Sequence, residues 1–271
     1  MPELPEVETI KNELMPFAVG RVVKQIDILS ASTLHACTPE ILNAEVAGQR
    51  IIDLFRRGKY LVFRFQNKKL LLVHHKMTGS FQVRQDMLAI PKHTRATIRL
   101  DDGTILCFVD PRRFGRLELS GPEASALREL GPEPFAREFT AKLLGEILAQ
   151  RRSPLKPVLL NQKLVAGIGN LYADEILFTA HLNPKRSANS LTEREIKCLH
   201  TEIRRVLKSG IACKGASIVN YYRPGGERGE AHLAFQVARR AGQKCLAGCG
   251  GKIERILFRG RGTYYCPRCQ K

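Results

Sequence analysis

Within its first six residues the chain sets a proline beside two glutamates, Pro2, Glu3 and Glu6. Once Met1 is removed, Pro2 carries a free secondary amine. An α-amino group titrates near pH ~8, so part of it is neutral and nucleophilic at physiological pH. Glu3 and Glu6 stand within one helical turn of it. A nucleophilic amine beside carboxylic acids is the equipment for imine chemistry on a carbonyl or a masked aldehyde. Proline followed by glutamate is also ordinary chemistry for a helix start, and these residues alone do not separate the two uses. With Met1 in place, Pro2 is acylated and has no nucleophilic amine.

A second group lies at the other end of the chain. Cys245 and Cys249 are followed, after sixteen residues, by Cys266 and Cys269. Two close pairs of thiolates joined by a hairpin-sized segment suit one tetrahedral Zn²⁺, and the three residues inside the first pair fall within the usual two to four. Four cysteines leave no open position for water, so the expected zinc is structural. Ile253–Phe258 and Thr263–Tyr265 are expected to form the hairpin, turning through Gly260-Arg261-Gly262 and holding Arg259 or Arg261 towards phosphates. Disulfides are the alternative, which a reducing cytosol disfavours. The expected location is the cytoplasm, with Cys37, Cys107, Cys198 and Cys213 as reduced thiols.

The charge says what these groups meet. The 271 residues carry 44 Lys and Arg against 26 Asp and Glu, a net of +18. Residues 1–125 hold 18 basic against 14 acidic residues, and residues 126–271 hold 26 against 12. From Arg204 onward, 15 basic residues face only Glu227, Glu230 and Glu254. Such asymmetry points to a polyanion, above all nucleic acid. No apolar run is long enough to span a membrane.

Elements must position these residues. Glu3 to Leu14 reads as a helix with Val7, Ile10 and Leu14 on one face, ended by Pro16. Short β-type segments follow at Val22–Ile28, Arg50–Phe55, Tyr60–Phe65, Leu70–His75, Phe81–Arg84, Thr97–Leu100, Ile105–Val109 and Leu117–Leu119, as in a sandwich or barrel. After Gly131-Pro132-Glu133-Pro134 the pattern becomes helical, at Thr140–Gln150, Leu155–Gln162, Leu171–Thr179 and Glu193–Ile211. Residues 214–243, rich in Gly and Arg, read as a mobile loop. Between two of the helices, Asn161 to Asn170 contains Gly167 and Gly169. Glycines allow close backbone approach and a helix N-terminus favours an anion, so Asn170 is either an ordinary N-cap or a phosphate donor.

The run Met1–Thr9, Arg56-Arg57-Gly58-Lys59-Tyr60-Leu61, Met77-Thr78-Gly79, Asp110-Pro111-Arg112-Arg113-Phe114-Gly115, Gly131–Pro134, Lys163–Asn170 with Tyr172 and Glu175, and the cysteine module together resemble bacterial formamidopyrimidine-DNA glycosylase, in order and over essentially the whole chain. The resemblance implies an α+β fold. It comprises an N-terminal β-sandwich with an N-terminal helix (1–120), a linker (121–136), a helix–two-turn–helix domain with a lesion loop (137–235) and a zinc-finger hairpin (236–271). It implies a monomer that binds damaged double-stranded DNA between domains, excises oxidised purines and cuts the abasic strand by β,δ-elimination.

Residue by residue, the resemblance makes Pro2 the nucleophile at C1′ and Glu3 the acid on the sugar ring oxygen. Glu6 supports a water or the opened sugar, and Lys59 acts on phosphate and in elimination. Arg261 donates a proton in δ-elimination. His74, His93, Arg151, Asn170 and Arg261 fall on DNA-contact positions. Met77, Arg112 and Phe114 would fill the void left by an extruded base; plain core packing is the other use of Met77 and Phe114.

Several positions depart from the family pattern. Thr94-Arg95 follows Lys92-His93, Lys76 precedes Met77, and Lys214-Gly215-Ala216-Ser217 keeps the usual loop entry only in part. Ala238 stands where a phosphate-contacting tyrosine is typical. These place lesion choice in question before chemistry. Two alternatives follow: a relative preferring oxidised pyrimidines, against which Leu4 and the Arg112–Phe114 wedge count, and a non-catalytic zinc-bearing DNA-binding protein, which has no use for Pro2, Glu3 and Lys59.

Overall fold

The computed structural model describes residues 1–218 and 221–271. No described helix is long and apolar enough to cross a membrane. The chain forms two compact units, residues 1–128 with 213–230, and residues 129–212 with 231–271. Residues 213–230, expected to belong with the helical domain, thus cluster with the β-rich unit; hydrogen bonds to the first helix hold them there.

The first unit begins with α1 (Leu4–Ala18), followed by β1 (Val23–Ile28), β2 (Leu34–His35), α2 (Pro39–Val46), β3 (Ile51–Arg57), β4 (Tyr60–Phe65), β5 (Leu70–His74), β6 (Ser80–Arg84), β7 (Thr94–Leu100), β8 (Ile105–Val109), β9 (Arg116–Ser120) and α3 (Ser125–Arg128). Two sheets result, ordered β2-β9-β5-β4-β3 and β1-β7-β8-β6. Their inner faces share one core, in which Leu61, Phe63, Val73, Phe81, Ile98, Leu106 and Phe108 meet Val7, Ile10, Leu14 and Ala18 of α1. Each such large side chain contributes about 2–3 kcal/mol through removal from water. Val62, Leu70 and Leu72 face the other way and pack on Ala124, which explains why β4 and β5 read as continuous apolar runs rather than alternating ones.

Helix α1 does not stop at Pro16. It runs on to Ala18, where Val19 N donates to Met15 O at 3.0 Å. In the last turn a proline forfeits a single backbone bond, and burial of Ala18 offsets that loss.

The second unit comprises α4 (Ala141–Ala149), α5 (Leu155–Leu160), α6 (Asn170–Thr179), α7 (Glu193–Ala212) and the hairpin β10 (Glu254–Phe258) with β11 (Arg261–Tyr265). Leu199, Ile203 and Leu207 give α7 its buried stripe. The hairpin register pairs Phe258 with Arg261. The turn is therefore Arg259-Gly260, not Gly260-Arg261-Gly262, and both residues have positive φ, 48° and 74°, as the tightest hairpin turn requires. Arg261 consequently begins a strand and inherits its rigidity.

Candidate active site and nucleic-acid interface

In the first unit, Pro2, Glu3 and Glu6 are all buried. Glu3 is the N-cap of α1, and its N–H donates to Glu6 Oε2 at 2.8 Å. Glu6 Oε1 accepts from Ala216 N at 2.7 Å. Helix capping and site building are here one arrangement, because the Glu6 carboxylate joins the helix start to the 213–230 segment. Gly215 is obligatory beside it: φ is +77°, and a Cβ would lie 2.8 Å from Glu6 Cγ.

Burial pushes the α-amino group of Met1 below its ordinary value; Glu3 and Glu6 oppose this shift, while Lys59 and Arg112 reinforce it. These four side chains therefore surround the start of the chain electrostatically. The register pairs Arg57 with Tyr60, so Gly58 and Lys59 form the β3–β4 turn, and Lys59 is only 6% exposed. Arg56 fixes that turn to α1, donating from Nε to Glu8 Oε2 at 2.8 Å and from Nη1 to Gly58 O at 3.0 Å.

Met77 and Phe114 are 43% and 50% exposed, which excludes core packing for both. The Arg112 guanidinium lies 4.8 Å from the centre of the Phe114 ring. Their two loops are joined by Asp110, whose Oδ1 accepts from Thr78 Oγ1 and from Arg112 N, and whose Oδ2 accepts from Gly115 N at 2.7 Å. At Gly115 a Cβ would come within 2.5 Å of Phe108. Exposed His93 adjoins the same loops: its carbonyl accepts from Asp110 N at 3.0 Å, and Arg95 Nε reaches Asp110 O at 2.8 Å.

His74 Nδ1 accepts from Lys76 N at 3.0 Å, which assigns the proton of the neutral ring to Nε2. Burial, then Lys76, His75, Lys59 and Arg116, hold its pKa down at about 3. His75 is buried between Phe81 and Phe108, and among the described residues neither ring nitrogen has a hydrogen-bond partner. Burial lowers its pKa to about 4, against the pull of Asp110. Both folded-state values lie below the unfolded value, so the folded state binds fewer protons. The associated stability is complete above pH ~6.5 and is lost as pH falls towards the folded values. Moving from pH 7 to pH 5 is expected to cost about 2 kcal/mol per histidine, read as a lower urea midpoint, and His75→Leu should remove about half of that dependence.

In the second unit the hairpin is tied to the helices by buried polar groups. Asn170 is the first residue of α6; Gly169, not Asn170, is the N-cap. The Asn170 side chain instead donates from Nδ2 to Gly262 O at 3.1 Å. Lys156 Nζ reaches Gly262 O at 3.1 Å, Thr263 Oγ1 at 2.9 Å and Asp174 Oδ1 at 2.7 Å. Asp174 Oδ2 accepts from Tyr264 N at 3.1 Å. Desolvation raises the Asp174 pKa, while Lys156 opposes the rise. Arg259 and Arg261 line, with Lys156, Leu160, Asn161 and Phe258, a cavity of about 260 Å³. Arg151 is exposed after α4.

Cys245, Cys249, Cys266 and Cys269 present sulfurs within 4.8 Å of one another, and two of the Sγ–Sγ distances are 3.6 Å. A tetrahedron with Zn–S of ~2.3 Å has an edge of about 3.8 Å, so the cluster has the size of a metal site. Gln270, 1% exposed, supports it: Oε1 accepts from Cys266 N at 2.8 Å and Nε2 donates to Leu182 O at 2.8 Å.

Residues 1–117 match the family model for the formamidopyrimidine-DNA glycosylase N-terminal domain, and residues 130–221 match that for its H2TH domain. The chain belongs to the formamidopyrimidine-DNA glycosylase family. It is thus an N-glycosylase of DNA repair. Residues 242–271 match a zinc finger found in this family and in isoleucyl-tRNA synthetase. The formamidopyrimidine-DNA glycosylase of Symbiobacterium thermophilum is 42% identical across all of this chain and 89% of its own length. That of Heliobacterium modesticaldum is 40% identical over the full length of both. Among solved structures, the Lactococcus lactis glycosylase in complex with abasic-site DNA superposes with a TM-score of 0.92 at 36% identity, over 99% of each chain. The Thermus thermophilus glycosylase gives 0.89 at 38% identity, over 99% of this chain and 98% of that one.

Four partnerships in this glycosylase escape sequence reading: Thr78–Asp110, Lys156–Asp174, Glu13–Arg223, and Glu175 with the N–H groups of Gln236, Val237 and Ala238 at 2.8, 2.9 and 2.8 Å. Only Asp174 and Glu175 leave a trace, as charges on a helix otherwise apolar on most sides.

Proposed function

We propose that this glycosylase removes oxidised purines from double-stranded DNA and then cuts the abasic strand, with Pro2 as nucleophile after removal of Met1. The supporting observation is the buried helix start: Pro2 and Glu3 are buried, and the adjoining Met1 amine is surrounded by Glu3, Glu6, Lys59 and Arg112. Burial of the chain start favours a neutral amine, the reactive form, against the pull of the two glutamates. The amine attacks C1′ of an extruded nucleotide as Glu3 protonates the sugar ring oxygen. The base leaves with the glycosidic electron pair and takes up the proton lost from the Pro2 nitrogen, the C1′–O4′ bond opens onto the protonated ring oxygen, and an iminium remains on Pro2. Its fixed positive charge acidifies C2′, so that β-elimination and then δ-elimination expel the two flanking phosphates.

Lys59 and Arg261 serve the phosphates and the eliminations. Glu6, with both oxygens engaged, positions Glu3 and Ala216. Met77, Arg112 and Phe114, exposed on two coupled loops, fill the vacated stack, with the forked donors of Arg112 on the orphaned base. His74, His93, Arg151 and Asn170 contact the DNA backbone. One structural zinc on the four cysteines holds the hairpin, and the enzyme acts as a monomer in the cytoplasm.

Borohydride should trap a covalent adduct between the processed protein and a duplex carrying 8-oxoguanine opposite cytosine. Absence of an adduct both there and on abasic DNA would overturn the reading. A faster reaction on dihydrouracil than on 8-oxoguanine or formamidopyrimidine duplexes would overturn the purine preference alone.

A further inference from the structure

The loops that carry Met77 and Phe114 share one buried node. Asp110 is fully buried, and Thr78 is 5% exposed. The Asp110 carboxylate meets both loops: Oδ1 accepts from Thr78 Oγ1 in the β5–β6 loop, and Oδ2 accepts from Gly115 N in the β8–β9 loop at 2.7 Å. Arg112 N points between the two partners, 3.3 Å from Thr78 Oγ1 and 3.3 Å from Asp110 Oδ1. The backbone of Arg112 is thus bonded directly to the residue that follows Met77. The main chain of Asp110 extends the node to the start of β7, its N–H donating to His93 O and its carbonyl accepting from Arg95 Nε.

Packing seals the node from below. One glycine of each loop lies against the Phe108 ring: a Cβ would come within 2.8 Å of its Cζ at Gly79 and within 2.5 Å at Gly115. Gly79 N donates to His75 O at 2.9 Å and closes the first loop. The two loops therefore share one ring and one carboxylate, and a shift of either is passed to the other. Met77, Arg112 and Phe114, by contrast, are all exposed. Buried polar networks of this kind are stiff, and side chains are placed accurately when the residues beneath them are locked by packing and hydrogen bonds.

We propose that Thr78 is a positioning residue for the orphaned base: its hydroxyl, held by Asp110, locks the loops of Met77 and Arg112 into one unit, so that the opposite-base preference of excision depends on a buried side chain. The proposal rests on the reading of Arg112 as the partner of the orphaned base. Thr78 Oγ1 gives its proton to Asp110 and accepts the N–H of Arg112. Valine keeps the shape and does neither. Arg112 N would retain one acceptor, Asp110 Oδ1, and Gly115 N would retain Oδ2. The β8–β9 loop thus stays closed but loses its tie to the residue after Met77. A forked donor selects its partner by geometry, so a loosened Arg112 tells one orphaned base from another less well.

The test measures single-turnover excision of 8-oxoguanine opposite cytosine and opposite adenine by wild type, Thr78→Val, Thr78→Ala and Thr78→Ser, all with Met1 removed. Wild type is expected to favour cytosine. Thr78→Val and Thr78→Ala are expected to lower the cytosine-to-adenine ratio of rates about tenfold, equivalent to about 1.4 kcal/mol, by slowing excision opposite cytosine. Thr78→Ser retains the hydroxyl and should stay within about twofold of wild type. Borohydride-trapped adduct on abasic DNA at saturating protein should be equal for all four, because the amine is untouched. A ratio unchanged in Thr78→Val and Thr78→Ala, through equal slowing or none, would overturn the proposal, as would a ratio lowered equally in Thr78→Ser. Wild type excising opposite both bases at one rate would overturn it through the reading of Arg112. Wild type that neither excises nor forms an adduct would instead sink the glycosylase/lyase reading, and the proposal with it. Should Thr78→Val fail to fold, the comparison of Thr78→Ala with Thr78→Ser decides.

Discussion

Replacing Glu3 with glutamine is expected to slow removal of 8-oxoguanine by about 10²–10⁴-fold, the usual contribution of a positioned general acid. Glutamine keeps the length of the side chain and an oxygen that accepts the N–H of Glu6, so the reciprocal cap of α1 survives. On the proposed mechanism, what is lost is the proton for the sugar ring oxygen. Stability should change little, and so should affinity for lesion DNA. A pre-formed abasic site, whose sugar opens without help, should still be trapped by borohydride on Pro2. Single-turnover excision and trapping, measured on one preparation, give the answer. Should both fall together by the same factor, Glu3 places the amine and does not supply the proton.

Removal of the metal is expected to have the second largest effect. The small cluster beneath the hairpin consists of Phe178, Val237 and Ile253 with Cys245 and Cys266 themselves. Too little apolar surface is present to fold this module alone, whereas structural zinc binding is worth ~10–16 kcal/mol in comparable small modules. A chelator, or Cys249→Ala, should release the β10–β11 hairpin and with it Arg259 and Arg261. Loss of two phosphate contacts lowers the slope of log affinity against log salt by about 1.8. Titration of DNA at several salt concentrations, with and without zinc restored to the chelated protein, measures this. An unchanged slope would show that the two arginines do not touch phosphate.

The sequence revealed elements and motifs more readily than partnerships. All eight strands read from short apolar segments exist, because short apolar runs and the turns Arg57-Gly58 and Asp102-Gly103 are local signals. Strand β2, two residues long, has no period to detect. Helix α2 did carry a readable start, Thr38-Pro39-Glu40, with Thr38 Oγ1 accepting from Ile41 N at 3.4 Å. Pro16 misled because a proline stops a helix interior and not a last turn. At the candidate site, Pro2, Glu3, Lys59 and the four cysteines were visible as residues in motifs. What holds them was not: Asp110 lies 32 residues from Thr78, Lys156 pairs with Asp174 from another helix, and the grips of Ala216 and Arg223 on α1 reach 210 residues along the chain. No spacing rule extends over such separations.

Those two long-range grips also impose an order in time. Ribosomes add about 5–20 residues per second, so Arg223 follows Glu13, 210 residues earlier, by roughly 10–40 s. During that interval the nascent chain already carries the amine and both acids, but not the segment that binds Glu6 and Glu13. The surroundings of α1 are thus completed well after the helix itself is made, and a chain that stalls before residue 216 carries Pro2 and Glu3 without the segment that binds Glu6.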